Sequence, residues 1–378
     1  MSRRITVLWL IKGLGPGGAE TLLLSFARLA DHSRFAYHAA YIVPWKHTLV
    51  EPLEELGVPA QLVGGRRRPG WLWPLRLRKL LLSSSVDVLH LHSPSVAAVA
   101  RVTVLTLPPR RRPVVVSTEH NTWDSYGRLT RWGNAVTSVV DRRRWTVSSR
   151  VHHSVWPAFR RHCRVLVHGL VLCDIKTHAP QVRAKLRAEW GAGPDSVVVC
   201  TVANFRPNKS YPNLLRAAAM VLKRHPSTIF ISVGQGPLEG DIRALRDELG
   251  LDRAFRLLGY RPDVYDVLNA SDIFALGSKH EGFPIAVMEA LASGKPVVAT
   301  DVGGVSDAVT PGVEGILVRP EDPAALADAI SQLIDSPDRL AKMRQSAVER
   351  GADFDMRNAV RKIEGYYVES VRLSGGAG

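Results

Sequence analysis

Short, nearly continuous apolar runs recur along the whole chain, each followed by a glycine-rich or polar turn and then by a segment with helical spacing of its apolar positions. In the first half Ile5 to Ile11, Tyr37 to Val43, Val86 to His92 and Val114 to Thr118 read as strands. Pro52 to Leu56 and Val96 to Val104 supply further βα signals between them. In the second half the strands are Val197 to Val202, Thr228 to Val233, Phe255 to Leu258, Asp272 to Leu276 and Pro296 to Thr300. Strands that alternate with helices form parallel sheets covered on both faces, so the pattern predicts an α/β chain with doubly wound sheets. No repeat at solenoid periods is present, only two dissimilar halves.

At 378 residues the chain has room for two such domains. Residues 1–175 are expected to form the first and 176–355 the second. His168-Gly169-Leu170 and Asp174 lie in a connection reaching to about residue 185. A last helix is expected over 356–373, and only the Ser-Gly-Gly-Ala-Gly tail reads as disordered.

The most informative stretch is Ser278-Lys279-His280-Glu281-Gly282-Phe283-Pro284-Ile285-Ala286-Val287-Met288-Glu289. It lies between two strand signals. Pro284 suits a first helical position, and Gly294 with Pro296 suits the stop, which predicts a helix over roughly 285–293. Glu281 then precedes the helix and Glu289 lies in its second turn. Since Glu289 is the sole charge between Pro284 and Ala292, the helix should be buried nearly all round. A buried carboxylate needs a hydrogen-bonding partner. Ligand hydroxyls at the carboxyl ends of the strands would serve, as would an arginine or a backbone N–H.

Other turns carry related chemistry. Gly13-Leu14-Gly15-Pro16-Gly17-Gly18 joins the first strand to a helix beginning near Ala19, where backbone N–H groups can approach an anion. The same glycines also suit an ordinary tight turn, and Glu20 suits either a ligand contact or the helix dipole. Ala203-Asn204-Phe205-Arg206-Pro207-Asn208-Lys209 follows another strand, placing Arg206 and Lys209 where a diphosphate would bind. Gly234-Gln235-Gly236, Gly259-Tyr260-Arg261 and Asp301-Val302-Gly303-Gly304 end three more strands. Glu119-His120-Asn121 closes the strand Val114 to Thr118, at the end of a parallel strand where chemistry is usual. His90 and His92 share a strand face without an evident third metal ligand, and backbone partners suit them better. His152-His153 point apart if they lie on a strand.

Charge changes the picture for one half only. Of the formal net charge of +15, residues 1–178 carry 26 Lys+Arg against 10 Asp+Glu, whereas the remainder is nearly balanced. Arginines cluster at 66–68, 110–112, 142–144 and 160–161, with Trp71-Leu72-Trp73 and Trp145 beside them. Tryptophan next to arginine fits an anionic membrane interface as well as a solvated basic surface. Arg101 interrupts the best spanning candidate, so membrane association should be peripheral. Residues 1–20 are a strand and turn rather than a signal peptide, having no small-residue cleavage site. The three cysteines, Cys163, Cys173 and Cys200, lack C-x-x-C spacing and suggest a reducing compartment.

Together these motifs, Gly17-Gly18-Ala19-Glu20, Ser117-Thr118-Glu119-His120-Asn121, Lys209, Gly259-Tyr260, Glu281-Gly-Phe-Pro with Glu289, and Asp301-Val-Gly-Gly, resemble a family 4 retaining glycosyltransferase of the GT-B type, in the expected order along nearly the whole chain. The resemblance implies two Rossmann-like domains facing each other across a cleft. The first would take the acceptor and the second a nucleotide diphosphate sugar. It implies that Glu289 hydrogen-bonds the donor ribose. Glu281, with the N–H groups of Gly282, Phe283 and Ile285 around Pro284, would hold the transferred sugar and the diphosphate.

By the same resemblance Lys209 neutralises the diphosphate, Gly17 and Gly18 let the first domain close over it, His120 sits beside the sugar, and Gly259, Tyr260 and Arg261 lie near the base. Asn204 stands where the family often has an arginine, a place Arg206 would fill. No cofactor or metal is implied, and no convincing His or Cys ligand cluster is seen. The implied acceptor is a glycan or lipid-linked precursor, and the implied location is the cytoplasm, at the inner face of the plasma membrane. A nucleotide-sugar epimerase of the same fold is the alternative. Nucleic acid is set aside because no recognised motif accompanies the basic half. The sugar, base and acceptor stay open.

Overall fold

The computed structural model describes residues 3–15, 17–175 and 180–375. The chain divides into two compact units, the first running to Gly169 and resuming at Asp355, the second covering Leu170–Phe354. The division falls a few residues before the position expected from sequence. Residues 176–179 of the expected connection, Pro16 of the first glycine turn, and 376–378 of the tail lie outside the described residues.

The first unit contains β1 (Ile5–Ile11), α1 (Gly18–Leu29), β2 (Phe35–Tyr41), α2 (Val50–Glu55), β3 (Ala60–Leu62), α3 (Trp73–Ser83), β4 (Val88–Leu91), α4 (Pro94–Leu105), β5 (Val114–Glu119), α5 (Arg128–Thr137), β6 (Arg143–Thr146), α6 (Ser149–Ser154) and β7 (Cys163–Val165). Its sheet has the order β3-β2-β1-β4-β5-β6-β7, and every pair is parallel. Leu8, Leu10, Leu89, Leu91 and Val115 project from one face into a core shared with Leu77 and Leu81 of α3 and Ala97, Ala100 and Val104 of α4.

The second unit contains α7 (Pro180–Trp190), β8 (Val198–Val202), α8 (Tyr211–Arg224), β9 (Ile229–Val233), α9 (Glu239–Glu248), β10 (Phe255–Leu257), α10 (Val264–Ala270), β11 (Ile273–Leu276), α11 (Ile285–Ala292), β12 (Val297–Thr300), α12 (Val305–Ala308), β13 (Gly315–Val318), α13 (Pro323–Ile334) and α14 (Pro337–Ala352). The sheet order is β10-β9-β8-β11-β12-β13, again parallel throughout. Asp272, just before β11, ties flanking helices to the sheet. It accepts from Arg183 and Arg187 of α7 at 2.7 and 2.8 Å, from Arg344 of α14 at 2.7 Å, and from the Val198 N–H at 2.9 Å. α7 therefore begins inside the stretch that the sequence assigns to a connection.

The final helix, α15 (Met356–Gly375), belongs to the first unit. It is anchored by Glu364, whose Oε1 accepts from the Asp31 N–H and from the Tyr37 hydroxyl, both at 2.8 Å. The first two residues of the expected disordered tail, Ser374 and Gly375, continue this helix.

Three local expectations are corrected. Arg142-Arg143-Arg144 with Trp145 is not a surface cluster, because residues 143–146 form β6. Arg144 and Trp145 are buried there, which removes both from any lipid contact. His152 and His153 lie on α6 rather than on a strand, and His153 Nδ1 bonds the Ser149 carbonyl one turn back at 2.7 Å. Pro284 is the extended cap before α11 (φ −78°, ψ 109°) rather than its first helical residue.

Candidate active site

In an open parallel sheet the crevice for a ligand opens where strand order reverses, at the carboxyl ends of the strands. In the second unit the reversal lies between β8 and β11, because β9 and β10 extend the sheet one way and β12 and β13 the other. The loops after β8 and β11 meet there. Lys279 N–H donates to the Asn208 carbonyl at 2.8 Å, and Asn208 Nδ2 to the His280 carbonyl at 3.3 Å. Lys209 Nζ donates to Glu281 Oε1 at 2.6 Å, and Ser278 Oγ donates to the same oxygen at 2.6 Å. Glu281 is nearly enclosed, with 7% side-chain exposure, while Lys209 keeps 20%.

The loops are held from below by backbone contacts that only particular residues allow. Gly303 has φ +59°, and a Cβ placed there would lie 1.7 Å from the Glu281 carbonyl oxygen. The next residue, Gly304, donates its N–H to the Gly282 carbonyl at 2.7 Å. The glycine turn after β12 is therefore a brace beneath the Glu281 loop. Tyr211, at the start of α8, braces the other loop by donating to the Ala203 carbonyl at 2.8 Å.

Glu289 lies on α11, whose Val287, Met288, Ala290 and Leu291 are buried while Ile285, Ala286, Glu289 and Ala292 are half-buried. The helix thus leaves one stripe partly open, contrary to the expectation of burial all round. Protein surrounds the Glu289 carboxyl closely enough that burial pushes it up to about 7, and a hydrogen bond from Tyr265 of α10 offsets only part of that shift. The partner is a tyrosine hydroxyl, neither the arginine nor the backbone N–H considered from sequence. The first N–H groups of α11, beginning at Ile285, lack intrahelical partners by helix geometry.

Around this centre Asn204 is half-buried, and its carbonyl accepts the Arg206 N–H at 2.8 Å. Arg206 is exposed and makes no side-chain ion pair among the described residues. Gly259 has φ +71° and accepts the Gly234 N–H at 2.9 Å, joining two strand ends. Tyr260 is exposed, and Arg261 is paired with Asp263, Nε to Oδ1 at 2.8 Å. Phe283 packs edge-on against Phe354 at 6.0 Å.

In the first unit His120, one residue beyond β5, joins three further histidines. His92 Nδ1 is 3.4 Å from His120 Nε2, and the His120 and His168 rings meet edge to face at 5.8 Å. His90 stacks near His92 at 4.1 Å and bonds the Tyr367 and Thr118 hydroxyls at 2.5 and 2.8 Å. The partners of His90 are side chains, not the backbone groups expected. Burial pushes His120 down to about 3 and His168 to about 4, and holds His90 and His92 well below the ordinary imidazole value. All four are therefore neutral near pH 7. Together with Ala19, Leu22 and Leu23 of α1 the histidines line one pocket, which associates His120 with the helix begun by Gly17 and Gly18.

His92, His168 and Tyr265 are the members that sequence reasoning missed. The His90-x-His92 spacing was a signal for the first, but nothing local marks the other two.

No three His, Cys, Asp or Glu among the described residues are disposed to hold a metal ion. Asp353-Phe354-Asp355 has Asp-x-Asp spacing, but Asp353 pairs with Arg350 at 2.7 Å and Asp355 with Arg357 at 3.5 Å.

Residues 182–350 match the family model described as glycosyl transferases group 1. The D-inositol 3-phosphate glycosyltransferase of Nocardia farcinica is 36% identical over 190 residues, covering 48% of this chain and 42% of that protein. The putative glycosyltransferase EpsD of Bacillus subtilis is 24% identical over 304 residues, covering 77% of this chain and 79% of that one. The match thus spans about half the length, or less, of the inositol-phosphate relatives and more of EpsD. Among solved structures, Anabaena HepE in complex with UDP and glucose superimposes with a TM-score of 0.85 at 20% identity, covering 97% of this chain and 100% of that one. The two parallel sheets and their order are those of the GT-B fold, and the segment that matches the group 1 glycosyltransferase model, residues 182–350, lies within the second unit.

Proposed function

We propose that the chain is a retaining glycosyltransferase that moves a sugar from a nucleotide diphosphate sugar to a glycan or lipid-linked acceptor at a membrane surface. The observation that carries this reading is the Lys209–Glu281 pair at the strand-order reversal of the second unit, where an ammonium and a carboxylate are held ready beside a helix start. The diphosphate lies against Lys209, Arg206 and the N–H groups of Gly282, Phe283 and Ile285. Glu289 accepts from the ribose hydroxyls, which adds to the hydrogen bond its half-buried carboxyl already takes from Tyr265. The base lies by Gly259, Tyr260 and Arg261.

Transfer requires the bond from the anomeric carbon to the β-phosphate oxygen to break. The carbon gains oxocarbenium character, and the departing phosphate oxygen takes the proton of the attacking acceptor hydroxyl on the same face. Negative charge develops on the diphosphate, so Lys209, Arg206 and the helix-start N–H groups do most for the barrier. Removing one such preorganised contact costs about 2.7 to 4 kcal/mol. Glu281 positions Lys209 and receives sugar hydroxyls. In the first unit His120, held neutral, suits a sugar hydroxyl without adding positive charge, and Gly17 and Gly18 at the start of α1 suit backbone contact with an anion. No metal is needed if these groups carry the leaving-group charge.

A panel of nucleotide diphosphate sugars tests the reading. One member should raise the thermal midpoint by mass action and undergo slow hydrolysis without acceptor. Failure of every member to do either overturns the proposal, and isomerisation of the donor in the absence of acceptor would reassign the chain as an epimerase.

A further inference from the structure

The first unit carries a helix whose apolar stripe points away from the protein. On α5, Leu129 is 88% exposed, Trp132 58% and Val136 58%, and Val139 just beyond the helix is 75% exposed. Their spacing of three, four and three residues places them on one side. The inward side is largely polar. Asn134 Nδ2 donates to Glu119 Oε1 at 2.7 Å, and Arg101 Nη1 from α4 donates to Asn134 Oδ1 at 2.6 Å. Arg101 is forked on Asp141 at 2.7 and 2.6 Å. A surface helix ordinarily turns its apolar stripe inward. In α5 the inner side holds Asn134 in that polar network and Ala135 in a small apolar cluster, while Leu129 and Val136 are left outside and Trp132 meets Trp156 edge to face at 4.7 Å.

The neighbouring helix extends this surface. α4 packs against α5, with Gly133 facing Ala98, and Val102 and Leu105 of α4 are about half exposed. No Asp or Glu occurs in α3, α4 or α5. Exposed arginines border the surface: Arg110 to Arg112 after α4, Arg128 at the start of α5, and Arg142 three residues after Val139. An apolar stripe containing tryptophan and rimmed by arginine, with Asp124 as a neighbouring carboxylate that Arg131 pairs at 3.4 Å, matches the interface of an anionic bilayer. A second copy of the same face would set arginines against arginines, which disfavours self-association.

We propose that α5, with the outer side of α4, is the face by which this chain docks on an anionic lipid surface, Leu129, Trp132, Val136 and Val139 entering the headgroup region and the bordering arginines lying on phosphates. This deepens the membrane-surface part of the proposed function and adds a second face to the Trp71-Leu72-Trp73 segment, where Trp73 packs on the core while Trp71 stays 83% exposed.

The test compares the full chain with the triple variant Leu129→Ser/Trp132→Ser/Val136→Ser. Each is sedimented with vesicles of phosphatidylcholine alone and of phosphatidylcholine with phosphatidylglycerol, at low and high salt. The unaltered chain should bind only the anionic vesicles and be released by salt. The variant should partition at least about tenfold less, with an unchanged donor-induced shift of the thermal midpoint, while loss of the Trp132–Trp156 contact lowers the midpoint itself. Equal binding by both chains overturns the assignment of this face while leaving the membrane reading standing. Absence of binding by the unaltered chain overturns both, without touching the donor site. A dimer in light scattering that the variant loses, with no vesicle binding, would make the face a self-association surface. Should the variant be destabilised, Leu129→Glu alone, at the most exposed position, serves the same comparison.

Discussion

Lys209 Nζ donates to Glu281 Oε1 at 2.6 Å across 72 residues of sequence, and the same oxygen also accepts from Ser278. Before any diphosphate enters, the ammonium that would meet it is therefore already oriented, and its charge is balanced by a carboxylate with little solvent access. Lys209→Ala and Glu281→Ala should each lower turnover at least about tenfold in a folded protein. The double variant should lose less than the product of the two, since each single change already breaks the pair, with a coupling of about 0.5 to 3 kcal/mol. Steady-state kinetics on the four proteins reads this out, and near-normal turnover of Lys209→Ala would remove that residue from the site.

Glu289 sets a pH dependence. Its carboxyl titrates at about 7 in the folded protein against an ordinary value of 4.5, because burial penalises the charge. The raised value means that its contribution to stability is fully present below pH 4.5 and is lost as pH rises through 7. Donor binding has the opposite slope, because ribose hydroxyls donate better to the ionised form. Nucleotide affinity should thus rise from pH 6 to pH 8, with proton release in calorimetry below pH 7. Glu289→Gln should flatten both profiles. Glu289→Ala should lower turnover at least about tenfold. A nucleotide affinity that does not change over this range would contradict the ribose assignment.

The histidine cluster behaves in the reverse sense. With His120 pushed down to about 3 and His168 to about 4, the stability each contributes is complete above the ordinary value of 6.5 and is lost as pH falls toward those values. The loss should approach about 1.4 kcal/mol per pH unit for each such group. Denaturant unfolding between pH 7 and pH 4 should show it, and His168→Asn should reduce the slope. Imidazole resonances of His120 that titrate near 6.5 would show that the cluster is open to water.

Gly303 offers a test of the brace under the Glu281 loop. Alanine there would combine φ +59° with a Cβ 1.7 Å from the Glu281 carbonyl oxygen, so the two loops must part. Gly303→Ala should cost about 1 to 3 kcal/mol and weaken donor binding more than a cavity-free surface change would. Unaltered donor affinity and thermal midpoint would show that the loop adapts without loss.

Sequence by itself determined the elements that depend on local spacing. Continuous apolar runs with glycine turns mark parallel strands because such strands are covered on both faces, and the alternation with helices makes both halves α/β. The same local reasoning places Glu281 before α11 and Glu289 on it, Lys209 in the loop after β8, and His120 at the end of β5. Only the tertiary structure decided which groups meet. His90 reaches Tyr367 of α15 across 277 residues, His92 meets His120 because strand order brings β4 and β5 side by side, and His168 joins them from the segment after β7. Tyr265 finds Glu289 through the packing of α10 on α11. Arg144 and Trp145 look like a surface patch in sequence and are buried in β6, whereas the apolar Leu129, Trp132 and Val136 of α5 are exposed. Periodicity tells how many faces a helix has. Which face turns inward is set by its neighbours, and at α5 that neighbour is the charged end of Arg101.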